Sequence, residues 1–223
     1  MQNSKQLINF IEHSPSSTPK ASIILLHGLG SSGHDFVEFV PHIAGHEEMR
    51  FIFPHAPQQP VTLNNGLMMA AWYDICGLSA NAKQDKIGLE KSRQLVEELI
   101  EHEINRGVDS HRIILGGFSQ GGALALHCGL RHPRRLGGIF ALSTYLPVAA
   151  DVAAEAHAIN KPTSIFLAHG NEDPIVPIDW GHISRQHLSE LGYQVEWRDY
   201  AMAHTVCPAE ILDFNLWLTK CIK

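Results

Sequence analysis

Residues 112–131 read RIILGGFSQGGALALHCGLR, and this stretch decides the fold. Ile113 to Leu115 form an apolar run typical of a buried strand, and the alanine- and leucine-rich half is typical of a helix. The turn between them reads Gly117-Phe118-Ser119-Gln120-Gly121. Glycines two residues before and two after the serine remove side chains that would clash with strand and helix in so sharp a turn. The pattern predicts a strand, a strained turn and a helix, with the Ser119 hydroxyl aimed outward.

Short apolar runs alternate with helical patterns on both sides of this stretch. That alternation predicts an α/β fold with a mostly parallel sheet and helices on both faces. The chain length of 223 residues suits one core, so we expect a single domain over 1–223. The predicted strands are Lys5 to His13, Ser22 to Leu26, Arg50 to Phe53, Ile113 to Leu115, Gly137 to Leu142, Thr163 to Ala168 and Gln194 to Tyr200. From Gln58 to Lys86 the pattern is irregular, and we expect a long apolar loop.

Two later segments carry polar groups just after predicted strands, Asp173 and His204. In open parallel sheets functional groups collect beyond the carboxyl ends of the strands, and a nucleophile, acid and base follow in the order Ser, Asp, His. A serine needs a base to take its proton, and a carboxylate must fix the tautomer of that base. Glu172 is a rival acid, but Pro174 would hold Asp173 more rigidly. The pattern therefore predicts Ser119, Asp173 and His204 as a catalytic triad, against the alternative of a Gly-rich turn and two surface loops.

An oxyanion hole needs two further donors. One is the backbone N–H of Gln120, which follows the serine, and the other comes from a loop after an early strand. His27-Gly28-Leu29-Gly30 supplies that loop, with the Leu29 amide as the donor. A Gly-rich turn with no catalytic part is the alternative.

Five segments resemble the carboxylesterase/acyl-protein thioesterase family of α/β-hydrolases. They are HGLGSSGHDF (27–36), FPHAPQQPVTLNNGLMMAAWYDI (53–75), GFSQGGALAL (117–126), HGNEDPIVP (169–177) and MAHTV (202–206). The resemblance implies an α/β-hydrolase fold, the triad Ser119, Asp173 and His204, and the oxyanion donors Leu29 and Gln120. It departs at Ala203, where the family usually has glycine. The family covers short-chain ester hydrolysis, lysophospholipid hydrolysis and protein depalmitoylation, so the substrate stays open.

The resemblance also implies that the 58–86 loop, with Leu63, Trp72 and Leu78, borders an acyl channel. Four residues come just past neighbouring strand ends, and we expect them to form the opposite wall: Tyr145, Leu146, Ile175 and Val176. An apolar groove of this kind would favour short-to-medium acyl chains. The alternative is that these residues fill the edge of the core.

Composition narrows the function classes. The net charge is −6 without a basic block, which argues against a nucleic-acid partner. No apolar run approaches the roughly 20 residues of a membrane span, and the start MQNSKQLINF lacks a secretory signal, so we expect a cytoplasmic protein without stable membrane insertion. Four cysteines at no metal-like spacing and scattered histidines predict free thiols, no metal and no cofactor.

The leading hypothesis is a serine hydrolase of carboxylic esters or thioesters, acting on a small ester, a lysophospholipid or an acylated protein through an acyl-enzyme on Ser119. We expect a monomer or homodimer. The alternative hypothesis, from a non-enzyme class of function, is a catalytically silent α/β-hydrolase scaffold that binds a small apolar ligand. A peptidase is a third reading, but the chain has no evident recognition domain.

Overall fold

The computed structural model describes residues 7–77 and 82–222. Its strands are β1 (Phe10–His13), β2 (Ala21–Leu26), β3 (Met49–Pro54), β4 (Gln58–Val61), β5 (Leu67–Ala70), β6 (Ile113–Phe118), β7 (Gly138–Leu142), β8 (Ser164–Gly170) and β9 (Val195–Tyr200). Its α-helices are α1 (Lys86–Asn105), α2 (Gln120–Arg131), α3 (Ala149–Glu155), α4 (Ile178–Glu190) and α5 (Pro208–Cys221), and a 3-10 helix spans Gly33–His42.

Seven strands form the central sheet in the order β1-β3-β2-β6-β7-β8-β9. All neighbours are parallel except β1, which pairs antiparallel with β3 at the edge. The apolar runs in the sequence form the interior strands, as expected for strands buried on both faces. The predicted α/β class with a mostly parallel sheet is confirmed.

Alternating side chains on each strand serve two cores. On β6, Ile113 and Leu115 pack under α1 and α2, while Ile114 packs on the opposite face with the aromatic residues of α5. Phe214 and Trp217 of α5 are buried against that second face. Helices therefore cover both faces, and only the ends of the strands are left for a site.

The structure corrects two predicted elements. The first strand begins later than predicted, because residues 7–9 are not in a strand and β1 spans Phe10–His13; Lys5 and Gln6 of the predicted strand lie outside the described residues. The predicted 58–86 loop contains a β-hairpin, in which β4 pairs antiparallel with β5. Its strands are joined by the five residues 62–66, which begin with the 3-10 turn Thr62–Asn64 and end with Asn65 (φ 56°) and Gly66 (φ 78°) in the left-handed region. Pro60 inside β4 obscured the strand, since proline cannot donate to a β-ladder.

Candidate active site

The turn between β6 and α2 is strained and tightly held. Ser119 has φ 54° and ψ −121°, a conformation that L-residues keep only where the surroundings enforce it. Its backbone N–H donates to Leu142 O at 2.8 Å, and its carbonyl accepts from Thr144 Oγ1 at 2.7 Å. A Cβ on Gly117 would lie 2.6 Å from Leu26 O, and one on Gly121 would clash with the same carbonyl. The two glycines of the sequence motif are thus required by the backbone of β2.

Asp173 lies in the loop after β8, with a fully buried side chain. Its Oδ1 accepts from the backbone amides of Ile175 (2.8 Å) and Val176 (2.9 Å). Its Oδ2 lies 2.6 Å from His204 Nδ1. A carboxylate in this position holds the proton on Nδ1 and leaves Nε2 free to accept a proton. Glu172, the rival acid, is exposed.

His204 follows β9 and lies beside the serine turn. Its ring centroid is 4.7 Å from that of Phe118, the residue before Ser119. Its loop packs on the end of β8, where a Cβ on Gly170 would lie 2.5 Å from Ala203 O. Ala203 itself is exposed, so its methyl group in place of the usual glycine fits the turn. The structure thus gathers the three predicted triad residues at the carboxyl ends of β6, β8 and β9.

The loop after β2 reaches the same place. A Cβ on Gly28 would lie 3.5 Å from Ser119 Cβ, so Gly28 sits directly beside the serine. The buried imidazole of His27 accepts from Ala56 N–H through Nε2 (3.0 Å), and therefore Nδ1 carries the proton and donates to Gly28 O (2.7 Å). Burial lowers the pKa of His27, which keeps this ring neutral.

That hydrogen bond fixes the Gly28–Leu29 peptide. In a trans peptide the C=O and N–H point in opposite directions, so holding Gly28 O against His27 turns the Leu29 N–H the other way. The Gln120 amide is the first of α2, where helix amides have no intrahelical acceptor. Within residues 7–77 and 82–222, no hydrogen bond engages the Leu29 or Gln120 amide. Both remain available to an oxyanion.

A cavity of about 160 Å³ is lined by residues of the 73–77 and 82–85 segments, of the loop after β7 and of α4. The apolar part of its lining comprises Tyr73, Ile75, Tyr145, Leu146, Trp180 and Ile183, and the polar part comprises Asp74, Lys83, Gln84, Asp85 and Ser184. The Tyr73 and Tyr145 hydroxyls are 3.4 Å apart, and the Tyr145 ring meets Trp180 edge to face at 5.4 Å. Burial raises the pKa of both tyrosines, so they stay neutral. The loop after β7 connects the cavity wall to the serine turn, because Thr144, next to the lining residue Tyr145, donates to the Ser119 carbonyl; Ser119 itself is not part of the lining.

The predicted groove residues are only partly brought together. Tyr145 lines the cavity, but Trp72 is 1% exposed and packs in the core, which corrects its predicted place in an open wall. Val176 is buried with its amide on Asp173 and Ile175 is exposed, and neither lines this cavity. Leu63 lies at the surface near the hairpin.

Leu78 lies outside the described residues. The sequence placed Tyr73 in the apolar 58–86 segment without singling it out as a wall residue, and it missed Trp180 and Ile183. The last two lie three residues apart at the start of α4, on one helix face, and that spacing was the available signal.

Two further observations concern other classes of site. In the described part of the chain, no group of three or more His, Cys, Asp or Glu side chains is arranged to hold a metal ion. None of the helices within 7–77 and 82–222 combines the length and apolarity needed to cross a membrane.

Comparison with known proteins finds relatives that are named as carboxylesterases or acyl-protein thioesterases. The family model described as phospholipase/carboxylesterase matches residues 8–222. Acyl-protein thioesterase 1 of Yarrowia lipolytica is 40% identical over 210 residues, covering 91% of this chain and 92% of the relative. Acyl-protein thioesterase 1 of Gibberella zeae is 39% identical over 212 residues, covering 90% of each. The crystal structure of Zea mays acyl-protein thioesterase 2 superposes with a TM-score of 0.88 at 27% identity, covering 97% of this chain and 100% of that one.

Proposed function

Since the chain belongs to the phospholipase/carboxylesterase family of α/β-hydrolases, and is thus a hydrolase of carboxylic esters and thioesters, we propose that it works through an acyl-enzyme on Ser119. The family resemblance drawn from the sequence motifs is confirmed. Family membership also favours an enzyme over the silent scaffold that the sequence left open.

In the proposed reaction, His204 Nε2 takes the Ser119 hydroxyl proton as the oxygen attacks the acyl carbonyl. The Leu29 and Gln120 amides donate to the oxyanion of the tetrahedral intermediate, and the N-terminus of α2 favours its negative charge. The imidazolium, stabilised by Asp173, returns the proton to the departing alcohol or thiol. Water activated by His204 then releases the acid and restores the serine.

One observation carries these roles: the Asp173–His204 pair. Its 2.6 Å contact is fully buried on the carboxylate side, and two backbone amides fix the other carboxylate oxygen. An aspartate held so firmly can present Oδ2 in one orientation, which is what a tautomer-fixing acid must do. A structural ion pair needs no such pair of amides and no neighbouring strained serine.

We further propose that the substrates are S-acylated proteins or their thioester analogues, as the names of the two relatives at 39% and 40% identity suggest. The cavity lined by Tyr145 and Trp180 takes the part of the acyl chain next to the carbonyl. Its volume of about 160 Å³ compares with a cavity of ~150 Å³ that holds benzene, so about six carbons fit. Each buried methylene contributes about 0.8 kcal/mol, or roughly fourfold in affinity. The free thiols Cys76, Cys128, Cys207 and Cys221 support a reducing compartment, and we place the activity in the cytoplasm.

A thioester series tests the function and the cavity separately. The assay measures kcat/KM for S-acyl peptides from acetyl to palmitoyl. We expect a rise up to about six carbons and a plateau beyond, with Ser119→Ala inactive on all. Activity of Ser119→Ala near that of the wild type would refute the acyl-enzyme. A kcat/KM that rises steadily up to the palmitoyl thioester would refute the limit of about six carbons set by the cavity, but not the acyl-enzyme mechanism.

A pair of exposed helix positions gives a matched control for the cavity. Ile183 is 63% exposed and lies at the cavity mouth, whereas Leu212 is 67% exposed on α5. Ile183→Trp should lower kcat/KM for octanoyl thioesters more than for acetyl thioesters, and Leu212→Trp should change neither. Equal behaviour of the two variants would place the acyl chain elsewhere.

A further inference from the structure

The two candidate oxyanion donors come from distant parts of the chain. Leu29 follows β2, and Gln120 opens α2, 91 positions later. An oxyanion hole works only if both amides sit 2.7–3.1 Å from one oxygen, so their spacing must be held to a fraction of an ångström. The family chemistry does not say what sets that spacing here.

Trp72 is hydrogen-bonded both to Gln120, which carries one donor, and to His27, which is two residues before the other donor. The Gln120 side-chain Oε1 accepts from Trp72 N–H at 2.9 Å, and its Nε2 donates to Tyr73 O at 2.7 Å. The Gln120 side chain therefore forms hydrogen bonds with the backbone of residues 72 and 73, as a neighbouring β-strand would. The backbone N–H of the same residue is the proposed oxyanion donor. The Trp72 carbonyl also accepts from Ser92 Oγ of α1, which ties the segment to the core.

The indole of Trp72 completes the connection. Its Nε1–H donates to His27 O at 2.9 Å, and its ring centroid is 5.3 Å from that of His27. The His27 ring in turn holds Gly28 O, the other half of the peptide that carries the Leu29 amide. Every polar group in this series is buried, and a buried donor or acceptor that loses its partner costs about 1–3 kcal/mol. Moving its two ends, Gln120 and Gly28, closer together or further apart would break at least one of these hydrogen bonds, so the distance between them is held.

We propose that Trp72 is a positioning residue: it braces His27 against Gln120 and thereby sets the distance between the two oxyanion amides. The inference rests on the proposed function of Ser119 and deepens it. Trp72 is 1% exposed and does not line the acyl cavity, so it acts through the loops it joins.

A second tryptophan of the chain serves as a matched control. Trp217 is also 1% exposed, and its Nε1–H donates to Ser164 Oγ at 2.8 Å at the opposite end of β8. Trp72→Phe and Trp217→Phe each remove one indole donor from a buried site, so both should lower the melting temperature by similar amounts. Only Trp72→Phe should disturb the oxyanion hole.

The experiment compares catalysis with the binding of a tetrahedral mimic. Outright loss of an oxyanion donor costs about 10²–10³ in kcat, so a displaced donor should cost about tenfold. We expect Trp72→Phe to lower kcat about tenfold with KM within twofold, and to weaken binding of an alkyl boronic acid, whose serine adduct carries the oxyanion, by the same factor. Trp217→Phe should leave kcat and boronate affinity within twofold of the wild type.

A double-mutant cycle keeps the inference testable if Trp72→Phe folds poorly. Gln120→Met retains the backbone amide and removes the side-chain grip on residues 72 and 73. It should also lower kcat and boronate affinity in parallel, and its effect should be non-additive with Trp72→Phe but additive with Trp217→Phe.

Three outcomes overturn different statements. If Trp72→Phe and Gln120→Met both lose stability with kcat and boronate affinity unchanged, the brace is structural only and the inference is wrong. If they lower kcat without weakening the boronate, the loss lies outside the oxyanion hole and the inference is again wrong. If Ser119→Ala keeps its activity, the proposed function itself fails, whatever the tryptophan variants do.

Discussion

Replacing Asp173 by asparagine reverses the tautomer of His204. Oδ1 of Asp173 accepts from the Ile175 and Val176 amides at 2.8 and 2.9 Å, so in Asp173→Asn the amide oxygen must stay on that side. The new NH₂ group then occupies the place of Oδ2 and faces His204 Nδ1, now 2.6 Å from Oδ2. A donor cannot face a donor, so Nδ1 must lose its proton and Nε2 must gain it. The base facing Ser119 is then blocked.

The expected loss is large in rate and small in stability. A blocked tautomer in an otherwise intact serine hydrolase lowers kcat by about 10⁴. The fold keeps both amide contacts to position 173, and the hydrogen bond to His204 persists with its direction reversed and without the carboxylate charge, so the free energy of unfolding should fall by about 1 kcal/mol at most. Thioester hydrolysis gives kcat, denaturant titration gives stability, and proton NMR reports which imidazole nitrogen is protonated. The matched control Glu172→Gln, at an exposed side chain, should stay within threefold of the wild type. An Asp173→Asn enzyme within tenfold of the wild type, or a retained Nδ1 proton, would refute this reasoning.

Three further predictions concern stability. Burial lowers the pKa of His127 to about 4, so the unfolded chain binds the proton first, and the His127 contribution to stability, about 3 kcal/mol, is lost as pH drops from 6.5 to 4. His127→Leu should remove that part of the pH dependence in denaturant titrations and leave the part that comes from other buried histidines such as His27; an unchanged pH dependence would contradict this. Burial raises the pKa of Glu210 to about 8, and within the described part of the chain neither carboxyl oxygen reaches hydrogen-bonding geometry, although the Cys207 amide is close. Stability is therefore lost as pH rises from 4.5 to 8, and Glu210→Gln should stabilise by on the order of 2 kcal/mol at pH 8 and not at pH 4; an equal gain at both values would contradict this. Gly121→Ala should destabilise by at least ~4 kcal/mol, because its Cβ would strike the Leu26 carbonyl; a melting temperature near that of the wild type would show that the turn can yield.

Periodicity predicted the sheet well because its strands are buried on both faces. Continuous apolar runs such as Ile113 to Leu115 have one stable place in an α/β fold, the interior of a parallel sheet. The hairpin of β4 and β5 escaped prediction because its strands are short, contain Pro60 and expose Leu67 and Met68, so no inward-facing alternation marks them. The Asn65-Gly66 pair, which ends the five-residue connection between the two strands, was the usable turn signal.

The triad residues could be predicted from the order of strands and motifs along the chain, whereas the residues that line the acyl cavity could not. Ser119, Asp173 and His204 each had to follow a strand, which is a one-dimensional constraint. Cavity walls depend on side-chain direction, and Trp72 illustrates the difference. Its indole N–H donates to the buried carbonyl of His27, which places the ring in the core, and the neighbouring Tyr73 lines the cavity instead. Spacing along the sequence does not encode that choice.

The most direct test of the account is the mass of the acyl-enzyme. The protein is mixed with an excess of a p-nitrophenyl or S-acyl thioester substrate, quenched in acid within the first turnover, and digested for mass spectrometry. We predict one acyl group per chain, carried on the peptide that contains Ser119, with a burst of p-nitrophenol of equal size and no adduct in Ser119→Ala. An adduct on another residue, or turnover of the substrate by Ser119→Ala at the wild-type rate, would contradict the account.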